Sequence, residues 1–145
     1  MADQKVYFED VQEGQEVPSL TMYCDSQRLV MWAAASGDFY QIHYDKDFAQ
    51  STGLPDRIVH GALKHALLGR MLHEWIAPLG RVKRLAVQYR GMDMVNQNVV
   101  CKGVVTKKYQ KDGENIVELE VWTETPEGQR TTPGSAVVTL PSRGS

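Results

Sequence analysis

Cysteine is scarce: Cys24 and Cys101 are the only two in 145 residues, and they stand far apart. Two isolated thiols supply neither the disulfide framework of a small secreted domain nor a cysteine-rich zinc centre. Long apolar runs are also lacking. No stretch approaches membrane-spanning length, and Met1-Ala2-Asp3-Gln4-Lys5 has no apolar signal core. Nor is there an excess of positive charge, since 16 basic against 18 acidic residues leave a formal net charge of -2. Nucleic-acid binding calls for a basic face, so this balance argues against it while leaving room for a local basic rim. Repeats and low-complexity segments are missing as well; only Pro141-Ser142-Arg143-Gly144-Ser145 reads as a disordered tail. These absences predict a reducing, cytoplasmic home with neither a membrane nor a nucleic-acid partner.

What remains is an ordinary globular composition, 42% hydrophobic and 23% charged. The length suits a single domain over residues 1–140 with one sizeable core. The hydrophobic period divides the chain. Residues 1–24 read as extended, with a turn at Glu13-Gly14 and a short strand over Glu16-Cys24. Ser26 offers an N-cap for a short apolar helix, Arg28-Ala35, which Ser36-Gly37 stops. Asp45 is placed to cap a helical turn through Lys46-Gln50.

The long helix candidate runs from His60 to Ile76, with Leu63, Ala66, Leu67, Met71, Leu72, Trp75 and Ile76 on its buried face. Pro78 and Gly80 end it. The period then changes to two: Leu85, Val87 and Tyr89 face one way, followed by Val99-Thr106, Ile116-Thr125 and Ser135-Leu140. Lys111-Asp112-Gly113 and Pro126-Glu127-Gly128 mark the turns between these runs. One apolar helix followed by antiparallel strands predicts an α+β arrangement, a sheet wrapped around that helix. Dimerisation is the usual way to cover the edge such a sheet leaves.

Chemistry concentrates in Ala35-Ser36-Gly37-Asp38-Phe39-Tyr40-Gln41-Ile42-His43-Tyr44-Asp45, followed by Ile58-Val59-His60-Gly61-Ala62. An acid and an imidazole five residues apart on an irregular segment can converge on one small molecule, take a proton from water and return one elsewhere. Histidine suits the task because it titrates near neutral pH. Taken alone, such a pair is more often a surface turn with a structural hydrogen bond. Gly61, at the first turn of the long helix, has two readings. Its backbone N–H can stabilise a developing oxyanion, or it is simply a packing point.

The stretch resembles the hydratase motif of MaoC-like dehydratases and (R)-specific enoyl-CoA hydratases. That pattern is Gly-Asp-x-Asn-Pro-x-His-x-Asp with His-Gly about fifteen to twenty residues later. Gly37, Asp38, His43 and Asp45 match it, His60-Gly61 supplies the second element, and Ala49 meets a later alanine. The resemblance covers most of the chain. It implies a hot-dog fold, a site between two hot-dog units, and Asp38 and His43 as the catalytic pair. It further implies substrate contacts at Tyr40, Gln41, Gly61 and Ala62, an acyl-CoA substrate, a homodimer or higher homo-oligomer, and neither cofactor nor metal. The expected reaction interconverts a 2-enoyl and a 3-hydroxyacyl thioester. Tyr40 stands where the family has Asn and Gln41 where it has Pro, departures that bear on the substrate more than on the reaction.

The alternatives are a hot-dog acyl-CoA thioesterase or a subunit of a heteromeric hydratase inactive alone. For a thioesterase the long helix offers only Glu74, at its far end. His60 reads as a structural residue where the helix begins, and His65 and His73 lack metal-ligand spacing. Trp32, Trp75 and Trp122 read as core or subunit contacts. Lys83, Arg84, Arg90, Lys107 and Lys108 can form a rim for coenzyme A phosphates or a solvated strand face.

Overall fold

The computed structural model describes residues 4–144. Asp25 begins the first helix, α1 (Ser26–Ser36): its carboxylate accepts from the Arg28 N–H at 2.9 Å, so Asp25 rather than Ser26 is the N-cap. Gly37 ends α1 in the left-handed region, φ 78°, a conformation that glycine adopts without a Cβ clash. A 3-10 turn, Gln41–His43, leads into α2 (Lys46–Ser51), capped by Asp45 as its sequence suggests. The long helix, α3 (Gly61–Ile76), follows.

The described residues hold five strands, one before α1 and four after α3: β1 (Leu20–Cys24), β2 (Arg81–Val87), β3 (Gln97–Lys111), β4 (Glu114–Glu124) and β5 (Arg130–Thr139). They form one antiparallel sheet in the order β1-β3-β4-β5-β2, and β3 and β4 make a long hairpin around Asp112-Gly113. The strand expected over Glu16-Cys24 is shorter; Glu16 contributes only an isolated bridge to Val104. All five strands touch α3, so the sheet curls around the helix, the wrapped α+β arrangement its periodicities imply.

The buried face of α3 is Leu63, Lys64, Leu67, Leu68, Met71, Leu72, Trp75 and Ile76. Ala66, expected on that face, is exposed; Lys64 and Leu68 are inside instead. The sheet supplies Val99, Cys101, Val105, Val117, Leu119, Val121, Ala136 and Val138 to the same core. Burial pushes the Cys24 thiol up to about 11 and the Cys101 thiol up to about 12, so both stay protonated and unreactive.

Two further details depart from the sequence expectation. Leu85 and Val87 pack on the core, but β2 ends at Val87 and Tyr89 is exposed beyond it, because the strand alternation stops there. Within the tail expected to be disordered, Pro141 and Arg143 are bonded to the N-terminal segment. The Phe8 N–H donates to the Pro141 carbonyl, and the Arg143 guanidinium grips Asp10 with bonds of 2.7 and 2.9 Å. Ser145 lies outside the described residues.

Trp75, 7% exposed, is enclosed by this core. Trp75→Ala is expected to cost about 3–5 kcal/mol through lost burial and the cavity left behind. In a chain of this size that lowers the thermal midpoint by roughly 10 °C. An unchanged melt would contradict the packing.

Candidate active site

Three non-contiguous segments meet where α3 begins: the irregular stretch after α1, the segment leading into α3, and residues 91–95. Ile58 bridges to Met94, the Ile58 N–H donates to the Ile42 carbonyl at 3.2 Å, and the Val59 N–H donates to the Asp93 carbonyl at 2.8 Å. This stitching carries His43 inside, 7% exposed, while Asp38 stays at the surface.

The His43 Nδ1 lies 2.7 Å from the Ile58 carbonyl oxygen. A carbonyl only accepts, so in the neutral ring Nδ1 carries the proton and Nε2 presents its lone pair. That Nε2 faces the Asp38 Oδ2 at 3.9 Å, too far for a direct hydrogen bond but close enough for both atoms to engage one small ligand. Asp38 is fixed locally. Its Oδ1 accepts from the Tyr40 N–H at 3.3 Å, and its own N–H donates to the Ser36 Oγ at 3.2 Å.

His60 locks the pair from behind. Its ring stacks on that of His43 with centroids 3.7 Å apart and planes at 20°, and its Nε2 lies 3.3 Å from the Asp38 carbonyl oxygen. The ring is fully buried, and its Nδ1 has no hydrogen-bond partner among the described residues. Burial holds its pKa below the usual imidazole value, helped by the neighbouring His43 and opposed by Asp38. Ligand atoms of Asp38, His43 and His60 come within 4.8 Å of one another. Of the two His43 nitrogens it is Nε2 that faces this cluster, because Nδ1 is bonded to the Ile58 carbonyl.

His60 precedes α3 without capping it through its side chain, so the first-turn N–H groups, Gly61 among them, keep no intrahelical acceptor. The positive end of the helix dipole is centred there. A Cβ on Gly61 would meet the Tyr89 ring at 3.0 Å, so any larger residue here would have to push that ring aside. The close contact with Tyr89 makes Gly61 a packing point, and its N–H lies in the open first turn of the helix. Tyr40 puts its ring edge-on to His43, 6.3 Å between centroids, and to Phe48 at 5.9 Å. It remains 54% exposed, beside the imidazole. Gln41 and Ala62 are exposed, and no hydrogen bond draws the Gln41 side chain to the pair.

Residues suggested as a phosphate rim scatter. Lys108 donates to the Phe8 and Val11 carbonyls, Lys83 pairs with Glu114, and Lys107 lies over the Tyr109 ring. Arg84 and Arg90 line a shallow hollow of about 600 Å³ beside Pro133 and Gly134. A larger groove of about 1150 Å³ lies by the C-terminal end of α3, lined by Val17, Glu74, Trp75, Lys102 and Trp122. Neither Asp38 nor His43 lines it, and its Lys102 and Glu74 are already paired with Glu124 and Arg70. The acid–imidazole pair, where chemistry can occur, marks the site better than volume does. Asp93 carries no signal in sequence, and neither the Ile58 carbonyl's place at His43 nor the Tyr89 ring's place over Gly61 is encoded locally, because each partner is distant in the chain. Lys64 carries a faint one, a charge in the apolar stripe of α3.

The lowered His60 value has a sign for stability. The unfolded chain binds His60's proton more readily than the folded one, so stability falls as pH drops below about 6.5 and is fully present above it. His60→Gln is expected to weaken that acid sensitivity; denaturant midpoints of both proteins between pH 5 and 8 test this, and parallel curves would refute it.

The family described as "MaoC like domain" matches residues 8–127. An (R)-specific enoyl-CoA hydratase of Rhodospirillum rubrum is 29% identical over 143 residues, covering 95% of this chain and 94% of that protein. The 3-oxo-4,17-pregnadiene-20-carboxyl-CoA hydratase beta subunit of Mycobacterium tuberculosis is 30% identical over 103 residues, 66% of this chain and 80% of that one. Among solved structures, the (R)-hydratase of A. caviae involved in PHA biosynthesis superposes with a TM-score of 0.82 at 25% identity, over 92% of this chain and 99% of that chain. The wrapped sheet and central helix are the hot-dog fold of such neighbours, and the chain belongs to the MaoC-like family.

Proposed function

We propose that this protein is a hydro-lyase that interconverts 2-enoyl-CoA and 3-hydroxyacyl-CoA, with Asp38 and His43 as its acid–base pair. The observation that carries this reading is the His43 Nε2 facing the Asp38 Oδ2 at 3.9 Å, with Nδ1 committed to the Ile58 carbonyl. Two acceptors facing each other suit a molecule with two O–H groups, and water is the smallest such molecule.

In hydration, the pair orients water at C3 of the enoyl group and takes its proton as the C–O bond forms. The electron pair of the double bond shifts toward the thioester oxygen, where the Gly61 N–H and the α3 dipole stabilise the developing charge. The pair then returns the proton to C2, so one water is added and the enzyme is restored. Dehydration runs the same steps in reverse. Coenzyme A is a substrate component here, and the cycle calls for no redox cofactor.

The sheet leaves β1 and β2 as edges, and Arg81–Arg84 are exposed along β2. Pairing with a second copy fits this edge, and a homo-oligomer is the proposed assembly. Similarity to a protein named as a beta subunit favours, as a second reading, a heteromeric hydratase. No helix among the described residues is long and apolar enough to cross a membrane. A thioesterase finds less support, since Glu74 is exposed and tied to Arg70 at 2.8 Å.

Purified alone, the chain is expected to consume crotonyl-CoA, followed as loss of enoyl-thioester absorbance. Asp38→Asn and His43→Ala should each lower kcat by ~10²–10⁴-fold without unfolding the protein. Near-parental turnover in either variant would remove that residue from the mechanism. Inactivity of the parent alone, regained with another hot-dog chain, would favour the heteromeric reading.

Tyr40, beside His43, is proposed to shape the acyl pocket. Pocket shape discriminates by only ~1–3 kcal/mol per methylene, so Tyr40→Asn should shift the relative kcat/KM of short and bulky enoyl-CoAs by that order. An identical substrate ranking would show that the ring does not bound the acyl group.

A further inference from the structure

Behind the acid–base pair lies a buried cluster that the reaction does not use. Lys64, one turn into α3, and Asp93 each have side chains 2% exposed, and Lys64 Nζ lies 2.8 Å from Asp93 Oδ2. Lys64 also donates to the Gly91 carbonyl at 3.2 Å. The Thr131 hydroxyl of β5 donates to the same Asp93 oxygen at 2.7 Å and lies 2.9 Å from the Thr123 hydroxyl of β4. Removing two charges from water is expensive, and such pairs are often replaceable by apolar side chains without loss of stability. Stability alone is therefore a weak reason for this one.

Its place in the fold suggests a stronger reason. The Asp93 carbonyl accepts from the Val59 N–H at 2.8 Å, and the Val95 N–H donates to the Arg57 carbonyl at 3.0 Å. Between those two bonds, Ile58 bridges to Met94 and offers its carbonyl to the His43 Nδ1 at 2.7 Å. The side chain of Asp93 thus ties residues 91–95 to α3 and β5, while its main chain holds the segment that orients the imidazole. Lys64 lies one turn beyond Gly61 and four residues from His60, whose ring stacks on His43. One ion pair consequently links the register of the helix N-terminus to that of the imidazole.

We propose that Lys64 and Asp93 are positioning residues for His43: by anchoring residues 91–95 they hold the Ile58 carbonyl against Nδ1, keeping the ring in one tautomer with Nε2 aimed at Asp38. The inference rests on His43 being the acid–base group. A fixed ring is what proton transfer requires, because small misplacements of a reacting group cost much of its effect.

The test uses the full-length protein. Single substitutions strand a buried charge, so the informative variant is Lys64→Met combined with Asp93→Leu, which removes both charges. Thr131→Val is the milder companion, removing one donor to Asp93 and leaving the pair intact. The double variant is expected to fold, to lose about 10- to 100-fold in kcat on crotonyl-CoA with KM little changed, and to show mixed tautomers in the ¹⁵N imidazole signals of His43. Thr131→Val should shift both readouts the same way by less, and it carries the test if the double variant fails to fold. A folded double variant with parental kcat and a single Nδ1–H tautomer would overturn the proposal, as would an unaltered Thr131→Val if that variant alone folds. His43→Ala, run alongside, separates the two ideas. Parental activity there would refute the acid–base reading, whereas the tautomer signals test positioning whatever the activity.

Discussion

A helix enclosed along its length cannot choose where its ends lie, and the geometry of this protein follows from that constraint. Leu63, Leu67, Leu68, Met71, Leu72, Trp75 and Ile76 are withdrawn from water between all five strands. Each large apolar side chain so buried contributes about 1.5–3 kcal/mol. Sliding the helix by one residue would rotate that face out of the sheet, so the position of Gly61 is set by packing along the whole helix, as far as Ile76 at its other end. The partial positive charge of the helix N-terminus is thereby delivered, without adjustable parts, to the place where three loops converge.

Polar groups at that place are organised by main chain more than by other side chains. Asp38 is held by the Tyr40 N–H and the Ser36 hydroxyl, His43 by the Ile58 carbonyl, and His60 by the Asp38 carbonyl. Backbone groups move only with their segments, so the acid and the imidazole inherit the rigidity of the fold. The stacked His60 ring adds a further constraint at no cost in charge, because burial keeps it neutral.

Family membership and the local geometry bear on different questions. The match over residues 8–127 and the superposition on a solved (R)-hydratase speak for a shared fold. Tyr40, in place of the motif's Asn, turns its ring edge toward His43 and Phe48. The side chain beside the imidazole therefore differs from the motif's, even though the surrounding scaffold is common.

The amino-acid sequence by itself determined what depends on neighbours in the chain. The 3.6-residue period of α3, the alternation in β3 to β5, the Asp45 cap and the stop at Gly37 are all set by groups within a turn or two of one another. Asp38 and His43 were legible for the same reason, as parts of one short motif. Locality also explains the errors. Ser26 was a reasonable cap until the Asp25 carboxylate met the Arg28 N–H, and Tyr89 fitted an alternation that β2 abandons at Val87. Only the tertiary structure decided that Lys64 belongs inside. Its burial is tolerable because Asp93, distant in the chain, arrives with a compensating charge. The same holds for Ile58 at His43, Tyr89 over Gly61 and the stacking of His60. Each joins segments that touch only once the sheet has closed around the helix, and no local pattern of residues encodes such a meeting.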